Sequence, residues 1–321
     1  MYRPFYGLAR KPFEMSPDPF FFYPTPQHKE ALAIVQYGVL RQKGFIVVTG
    51  EVGTGKTLIV RCLLDALTRH RVAFAFIYNP RLSVQEFLKH VLADLGLPST
   101  SQSKVEMLSH LNSFLVERSR AGTTTALVVD EAQLLSWDLL EEIRLLTNFE
   151  TSQRKLLQIV LVGQPELDQK LDSEGLRQLK QRVGLRCQLA PLKLEELRGY
   201  IQTRLELAGA NGRHATLFSE DAVKAIHEIS AGFPRLANTL CENALVSGYG
   251  QQAKEITREI VREVAANLKI RPSAEIASAS QPLDSEMRRK IRSALFRMID
   301  EMDRSPDQLF GQEHGPRSED K

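Results

Sequence analysis

The chain has 321 residues, a formal net charge of +3 and 43% hydrophobic residues, enough for about two domains around a sizeable core and typical of an ordinary globular protein. So small an excess of positive charge gives no electrostatic ground for a nucleic-acid partner. The three cysteines, Cys62, Cys187 and Cys241, lie far apart with no CxxC and no Cys/His cluster, which excludes a zinc module or disulfide framework and suits a reducing cytoplasm.

Residues 1–23 string Pro4-Phe5-Tyr6-Gly7, Pro12-Phe13, Pro17-Asp18-Pro19 and Phe20-Phe21-Phe22-Tyr23 together. Prolines bar a regular helix, so an extended arm is expected whose aromatics pack onto the domain that follows. Pro24 to Arg41 reads as a helix with Ala31, Leu32, Ile34, Val35, Val39 and Leu40 as its apolar positions, followed by a buried strand at Phe45–Thr49. Strands and helices then alternate. A strand is expected at 72–78, helices at 84–95 and 105–117, and a strand at 126–129. A helix at 137–149, a strand at 156–162 and a short last strand at 186–189 complete the series. This alternation predicts a parallel sheet covered by helices on both faces.

From Pro191 only helices recur, at about 194–208, 219–230, 234–247 and 257–267. The expected organisation is an arm and first helix (1–41), an α/β core (42–190) and a small helical domain (191–270). A Ser/Ala/Pro-rich linker (271–285) and a disordered tail (305–321) flank a basic amphipathic helix (286–304). That helix carries Met287, Ile291, Leu295, Met298, Ile299 and Met302 on one stripe beside five basic residues; it suits a partner groove, self-association or a membrane surface. No apolar run reaches the length of a bilayer span, and the polar start is not a secretory signal.

The stretch Gly50-Glu51-Val52-Gly53-Thr54-Gly55-Lys56-Thr57 fits a phosphate-binding loop. Its glycines let successive backbone N–H groups turn into one cavity. Lys56 is placed to meet the β- and γ-phosphates, Thr57 to ligate Mg²⁺, and the helix beginning near Thr57 and Leu58 to present its positive end to the anion. The flanks, a buried strand before and Leu58, Ile59, Leu63, Leu64 and Leu67 at helical spacing after, are those the chemistry requires. A second strand, Ala126-Leu127-Val128-Val129, ends in Asp130-Glu131-Ala132-Gln133. Asp130 is the expected metal residue, and Glu131, one step further, the group that orients and deprotonates the attacking water.

Several segments together resemble the general secretion pathway protein A (ExeA-type) AAA+ ATPases and their shorter soluble relatives. They are Phe5-Tyr6-Gly7-Leu8, Pro12-Phe13, Pro17-Asp18-Pro19, Phe22-Tyr23, His28, Glu30-Ala31-Leu32 and Gly44-Phe45, then the phosphate loop, Asp130-Glu131-Ala132-Gln133, Gly163-Gln164-Pro165-Glu166-Leu167 and Gly232-Phe233-Pro234-Arg235-Leu236. The resemblance covers roughly the first 270 residues. It implies an ATP- and Mg²⁺-dependent ATPase core with a helical lid, working as a homo-oligomer. It also implies Gln164 as the polar sensor at the end of the fourth strand and Arg235 as the lid arginine that reaches the phosphates. Arg182 is implied as the arginine given to the neighbouring subunit, with Arg177 and Arg186 as competitors, and adenine is placed near Leu8. Larger members continue into a membrane span and a peptidoglycan-binding domain, and neither pattern occurs in this chain. The expectation is therefore a cytoplasmic protein, peripheral at the inner membrane through a partner, serving a secretion or envelope system such as those of exopolysaccharide or exosortase loci. A DNA-dependent ATPase and a slow ATP-binding switch are the alternatives.

Overall fold

The structure is a computed structural model that describes residues 1–270 apart from Pro17, Ser99, Gln102 and 211–216. The linker, basic helix and tail expected at 271–321 lie outside the described residues. Five parallel strands form one sheet: β1 (Phe45–Gly50), β2 (Ala73–Ile77), β3 (Thr125–Val129), β4 (Leu157–Gly163) and β5 (Val183–Leu189), in the order β2-β3-β4-β1-β5. Every residue of β1, β3 and β4 is buried, the pattern of strands covered on both faces. The pairing is in register, with Val47 opposite Leu161 and Leu127 opposite Ile159.

Successive side chains point to opposite faces, so the sheet feeds two cores. Phe45, Val47, Leu127, Val129, Ile159 and Leu161 pack against α4 (Val84–Asp94), α5 (Lys104–Arg120) and α6 (Trp137–Leu146). Ile46, Val48, Val128, Val160 and Val162 pack on the other side against α2 (Pro26–Leu40) and α3 (Lys56–Arg69). Each buried Val, Leu or Ile contributes roughly 1.5–3 kcal/mol, so the strand ends that carry the loops are held by the most secure part of the fold. Two short helices, α7 (Pro165–Leu171) and α8 (Arg177–Lys180), lie between β4 and β5.

Helices α9 (Leu194–Leu207), α10 (Glu220–Ser230), α11 (Pro234–Gly250) and α12 (Arg258–Asn267) make a third core. The N-terminal residues join it. Their aromatics were expected on the α/β portion that follows in sequence; instead Tyr2, Tyr6, Phe13 and Phe21 are buried among the late helices. Tyr2 donates to the Glu242 carboxylate at 2.8 Å, Tyr6 donates to the Ala253 carbonyl at 3.0 Å, and Phe13 meets Phe218 edge to face at 5.9 Å. The physical reason is supply of apolar surface: α2 and α3 already cover their side of the sheet, whereas the four short late helices need further side chains to close their core. The segment is also not wholly extended. It contains a helical turn, α1 (Tyr2–Phe5), and a 3₁₀ turn at Pro19–Phe21 in which the Phe20 N–H is capped by the Asp18 carboxylate.

Candidate functional site

The loop between β1 and α3 runs through Gly53 at φ 83° and Gly55 at φ 98°, left-handed conformations open to glycine at little cost. This geometry starts α3 directly at Lys56 and leaves its first N–H groups facing the cavity without a side-chain cap. The Lys56 side chain is only 6% exposed and its ammonium donates to the carbonyls of Gly50 at 2.7 Å and Glu51 at 3.0 Å. Burial pulls its pKa below the ordinary lysine value, while the nearby carboxylates of Glu131, Asp130, Glu51 and Glu166 oppose that shift. A buried cation ringed by carbonyls and N–H groups is a cradle for a polyphosphate, so the donor set fits a nucleotide.

The loop is buttressed from behind. His28 on α2 is buried; its Nε2 lies 3.1 Å from the Thr54 carbonyl and its Nδ1 2.7 Å from the Thr25 hydroxyl. The Thr54 carbonyl can only accept, so Nε2 carries a proton; burial favours the neutral ring, whose Nδ1 then accepts from the Thr25 hydroxyl, which itself accepts from the His28 N–H. Burial lowers the pKa of this histidine.

Asp130 follows β3 directly and is 5% exposed. Burial raises its pKa, countered by hydrogen bonds from the Glu131 N–H, at 2.9 Å, and the Thr57 hydroxyl. Thr57 and Asp130 thus sit together as an oxygen pair of the kind that suits a hard divalent cation. Glu131 adopts φ 50°, a left-handed conformation uncommon for a residue with a side chain and one that clusters at functional sites. Its Oε2 accepts from Gln133 Nε2 at 2.6 Å and from Gln164 Nε2 at 3.4 Å. Val52, Gly53, Gly55, Lys56, Thr57, Leu58, Glu131, Gln164 and Arg235 all line one cavity of about 310 Å³, a volume that suits a small ligand.

An AAA-domain family profile matches residues 39–171, which contain the loop, Asp130, Glu131 and Gln164. Over those residues the chain is similar to the AAA family. It is 40% identical over 257 residues to the general secretion pathway protein A of Aeromonas hydrophila; the match takes in 80% of this chain but 46% of that protein, so the chain spans about half the length of this relative. Among solved structures it resembles the ORC2 protein of Aeropyrum pernix in its ADPNP–ADP complexes, with a TM-score of 0.56 at 16% identity over 80% of this chain and 69% of that one. It also resembles the Holliday junction branch migration motor RuvB of Thermotoga maritima, with a TM-score of 0.52 at 18% identity over 86% of this chain and 76% of that one. At these identities the structural likeness concerns the fold alone: a P-loop AAA sheet followed by helices. No helix among the described residues is long and apolar enough to cross a membrane.

The far wall of the cavity comes from two places. Glu14, Met15, Ser16 and Asp18 of the N-terminal segment supply one side, and Tyr200, Arg204 and Asn238 of the late helices supply the other. Leu8, the residue expected near adenine, is instead buried in the late-helix core. Arg204 ties the two sides together. It is 5% exposed, its Nε donates to the Pro12 carbonyl at 2.6 Å and its Nη1 to the Tyr200 hydroxyl at 2.8 Å, and its guanidinium lies over Phe21 at 4.9 Å. Arg235 enters from the start of α11, where its N–H donates to the Gly53 carbonyl at 3.4 Å.

Arg182 is not in the cavity. It precedes β5, half-buried, and donates through Nη1 to the Thr147 hydroxyl at 2.5 Å. Arg186 pairs with Asp168 at 3.3 Å, while Arg177 is exposed on α8. Gln133, His28, Arg204 and the Glu14–Asp18 segment were not among the expected site residues. Gln133, His28 and Asp18 stood in segments that carry the family resemblance, whereas Arg204 carried no local signal.

Proposed function

We propose that this protein binds Mg-ATP in the cavity beside the Gly50–Thr57 loop and hydrolyses it. The observation that carries the reading is the convergence of a buried lysine ammonium, the Thr57 hydroxyl and the Glu131 carboxylate on one cavity of about 310 Å³, with Asp130 hydrogen-bonded to Thr57. Lys56 and the loop N–H groups would hold the β- and γ-phosphates, and Leu58 would follow them in the first turn of α3. Thr57 and Asp130 would hold Mg²⁺, which when bound neutralises charge on the β- and γ-oxygens. Glu131 then takes the proton of the attacking water, Gln164 donates from the end of β4, and Arg235 brings a positive charge from the late helices. Loss of the terminal phosphate removes the partner of Gln164 and Arg235, which loosens α11 from the loop.

By analogy with the general secretion pathway relative, the output proposed is assembly or remodelling of a secretion or envelope component by a homo-oligomer in which an arginine, Arg182 or one of its neighbours, completes the adjoining site. The protein would act from the cytoplasm and reach the inner membrane through a partner. The test is phosphate release from Mg-ATP by wild-type and Glu131→Gln protein, each with a parallel binding measurement. Release by the wild type and retained binding without turnover by the variant support the reading. Normal turnover by Glu131→Gln removes Glu131 from its role.

A further inference from the structure

Gln133 is a buried polar side chain to which the reading above gives no task. It follows the left-handed Glu131 and belongs to the 3₁₀ turn Ala132–Leu134. Its backbone carbonyl accepts from the Lys170 ammonium at 2.5 Å, and the same ammonium donates to the Leu135 carbonyl at 3.0 Å, so the turn is anchored to α7 without the side chain. The side-chain amide does something else. Its Nε2 donates to Glu131 Oε2 at 2.6 Å, and its Oε1 accepts from the Gln164 backbone N–H at 3.0 Å. Gln164 Nε2 completes a ring of three residues at 3.4 Å from Glu131 Oε2. The space beside this amide is tight: a Cβ on Gly163 would fall 2.9 Å from Gln133 Oε1, 3.1 Å from Leu167 Cδ2 and 3.2 Å from the Gln133 backbone N.

We propose that Gln133 is a positioning residue for hydrolysis, fixing the Glu131 carboxylate to the backbone of Gln164 at the end of β4. The inference rests on the hydrolytic reading of Glu131. Both amide donors converge on Oε2, which leaves Oε1 as the oxygen presented to the attacking water. A glutamate side chain turns about three bonds, and without a donor on Oε2 the carboxylate samples positions an ångström or more away. A displacement of that size costs on the order of 100-fold in rate. Because Gln133 touches no residue of the phosphate loop in this network, nucleotide affinity is governed elsewhere.

The experiment uses the full chain and three variants. Gln133→Leu keeps the size and removes donor and acceptor; Gln133→Glu sets a second carboxylate against Glu131; Gly163→Ala pushes Gln133 Oε1 aside without touching its chemistry. Each is expected to lower kcat for Mg-ATP by roughly 10- to 100-fold while the Kd for Mg-ATP stays within about threefold of wild type. In Gln133→Leu the Gln164 amide is expected to exchange with deuterium faster than in wild type, with no nucleotide present, because its acceptor is gone. Wild-type turnover in Gln133→Leu, a parallel fall of kcat and affinity in all three variants, or an unchanged exchange rate at Gln164 would overturn the positioning role while leaving hydrolysis by the wild type intact. A wild type that binds Mg-ATP but never releases phosphate removes the hydrolytic reading and this role with it.

Discussion

Replacing Lys56 by methionine separates the ligand's contribution to stability from that of the fold. In the structure the Lys56 ammonium is held by two loop carbonyls, at 2.7 and 3.0 Å, at the start of α3. Methionine keeps the apolar stem, so the ligand-free protein is expected to change by no more than about 1 kcal/mol in either direction, the loss of the two hydrogen bonds to loop carbonyls being offset by relief of a buried charge. The nucleotide is another matter. Contacts from one ammonium to β- and γ-phosphate oxygens are worth about 1.5–3 kcal/mol each, so two of them amount to about 3–6 kcal/mol, or roughly 100- to 10,000-fold in affinity. At a Mg-ATP concentration 100 times the wild-type Kd, binding stabilises the wild type by about 2.7 kcal/mol. At about 1.5–2 °C per kcal/mol for a chain of this size, Tm rises by about 4–5 °C. At the same concentration Lys56→Met gains about 0.4 kcal/mol or less, a shift of about 1 °C. Differential scanning calorimetry with and without Mg-ATP reads both numbers. A variant that keeps more than half of the wild-type shift refutes the placement of the phosphates on Lys56.

Three further perturbations probe the surroundings. Phe13→Ala, which opens a hole beside Phe218 in the late-helix core, is expected to cost about 3–5 kcal/mol in urea denaturation; a loss under about 1 kcal/mol contradicts the docking of the N-terminal segment there. Burial of His28 sets its folded pKa below the unfolded value of about 6.5, so its contribution to stability is complete above that pH and is lost as pH falls through the range below it. The Tm of the wild type is therefore expected to drop between about pH 7 and pH 5 more steeply than that of His28→Gln, and equal slopes contradict a neutral His28 on the Thr54 carbonyl. Mixing Arg182→Ala with Lys56→Ala protein is expected to restore part of the hydrolysis that each lacks, if Arg182 leaves Thr147 to act across an interface; if only Arg177→Ala gives such rescue, the exposed arginine of α8 takes that role.

The sheet was legible because each of its three central strands contains a run of four apolar residues, Phe45–Val48, Ala126–Val129 and Ile159–Val162, and β1, β3 and β4 are buried at every residue. The edge strand β5 was half-read: its exposure alternates, with Gly184, Arg186 and Gln188 on the open face, and only its end looked like a strand. Helices α7 and α8 are too short for periodicity to register and were missed. At the site, the loop glycines, Lys56, Thr57, Asp130 and Glu131 stand at fixed local spacings, and the structure gathers them as that spacing requires. Gln133 was missed because its meaning lies in a contact with Gln164, 31 positions away, that appears only when β3 and β4 pair. The N-terminal segment was misplaced for the same reason on a larger scale: Arg204 and Phe218, which receive it, lie some 200 positions downstream, beyond the reach of any local pattern.

The claim on which the rest depends is that the cavity beside Lys56 grips a magnesium nucleotide. Isothermal titration of Mg-ATP into the wild-type protein tests it most directly. Saturable binding of one nucleotide per chain, abolished in Lys56→Met and weakened when Mg²⁺ is chelated, is the predicted result. No heat at any concentration, or identical binding by Lys56→Met, contradicts it.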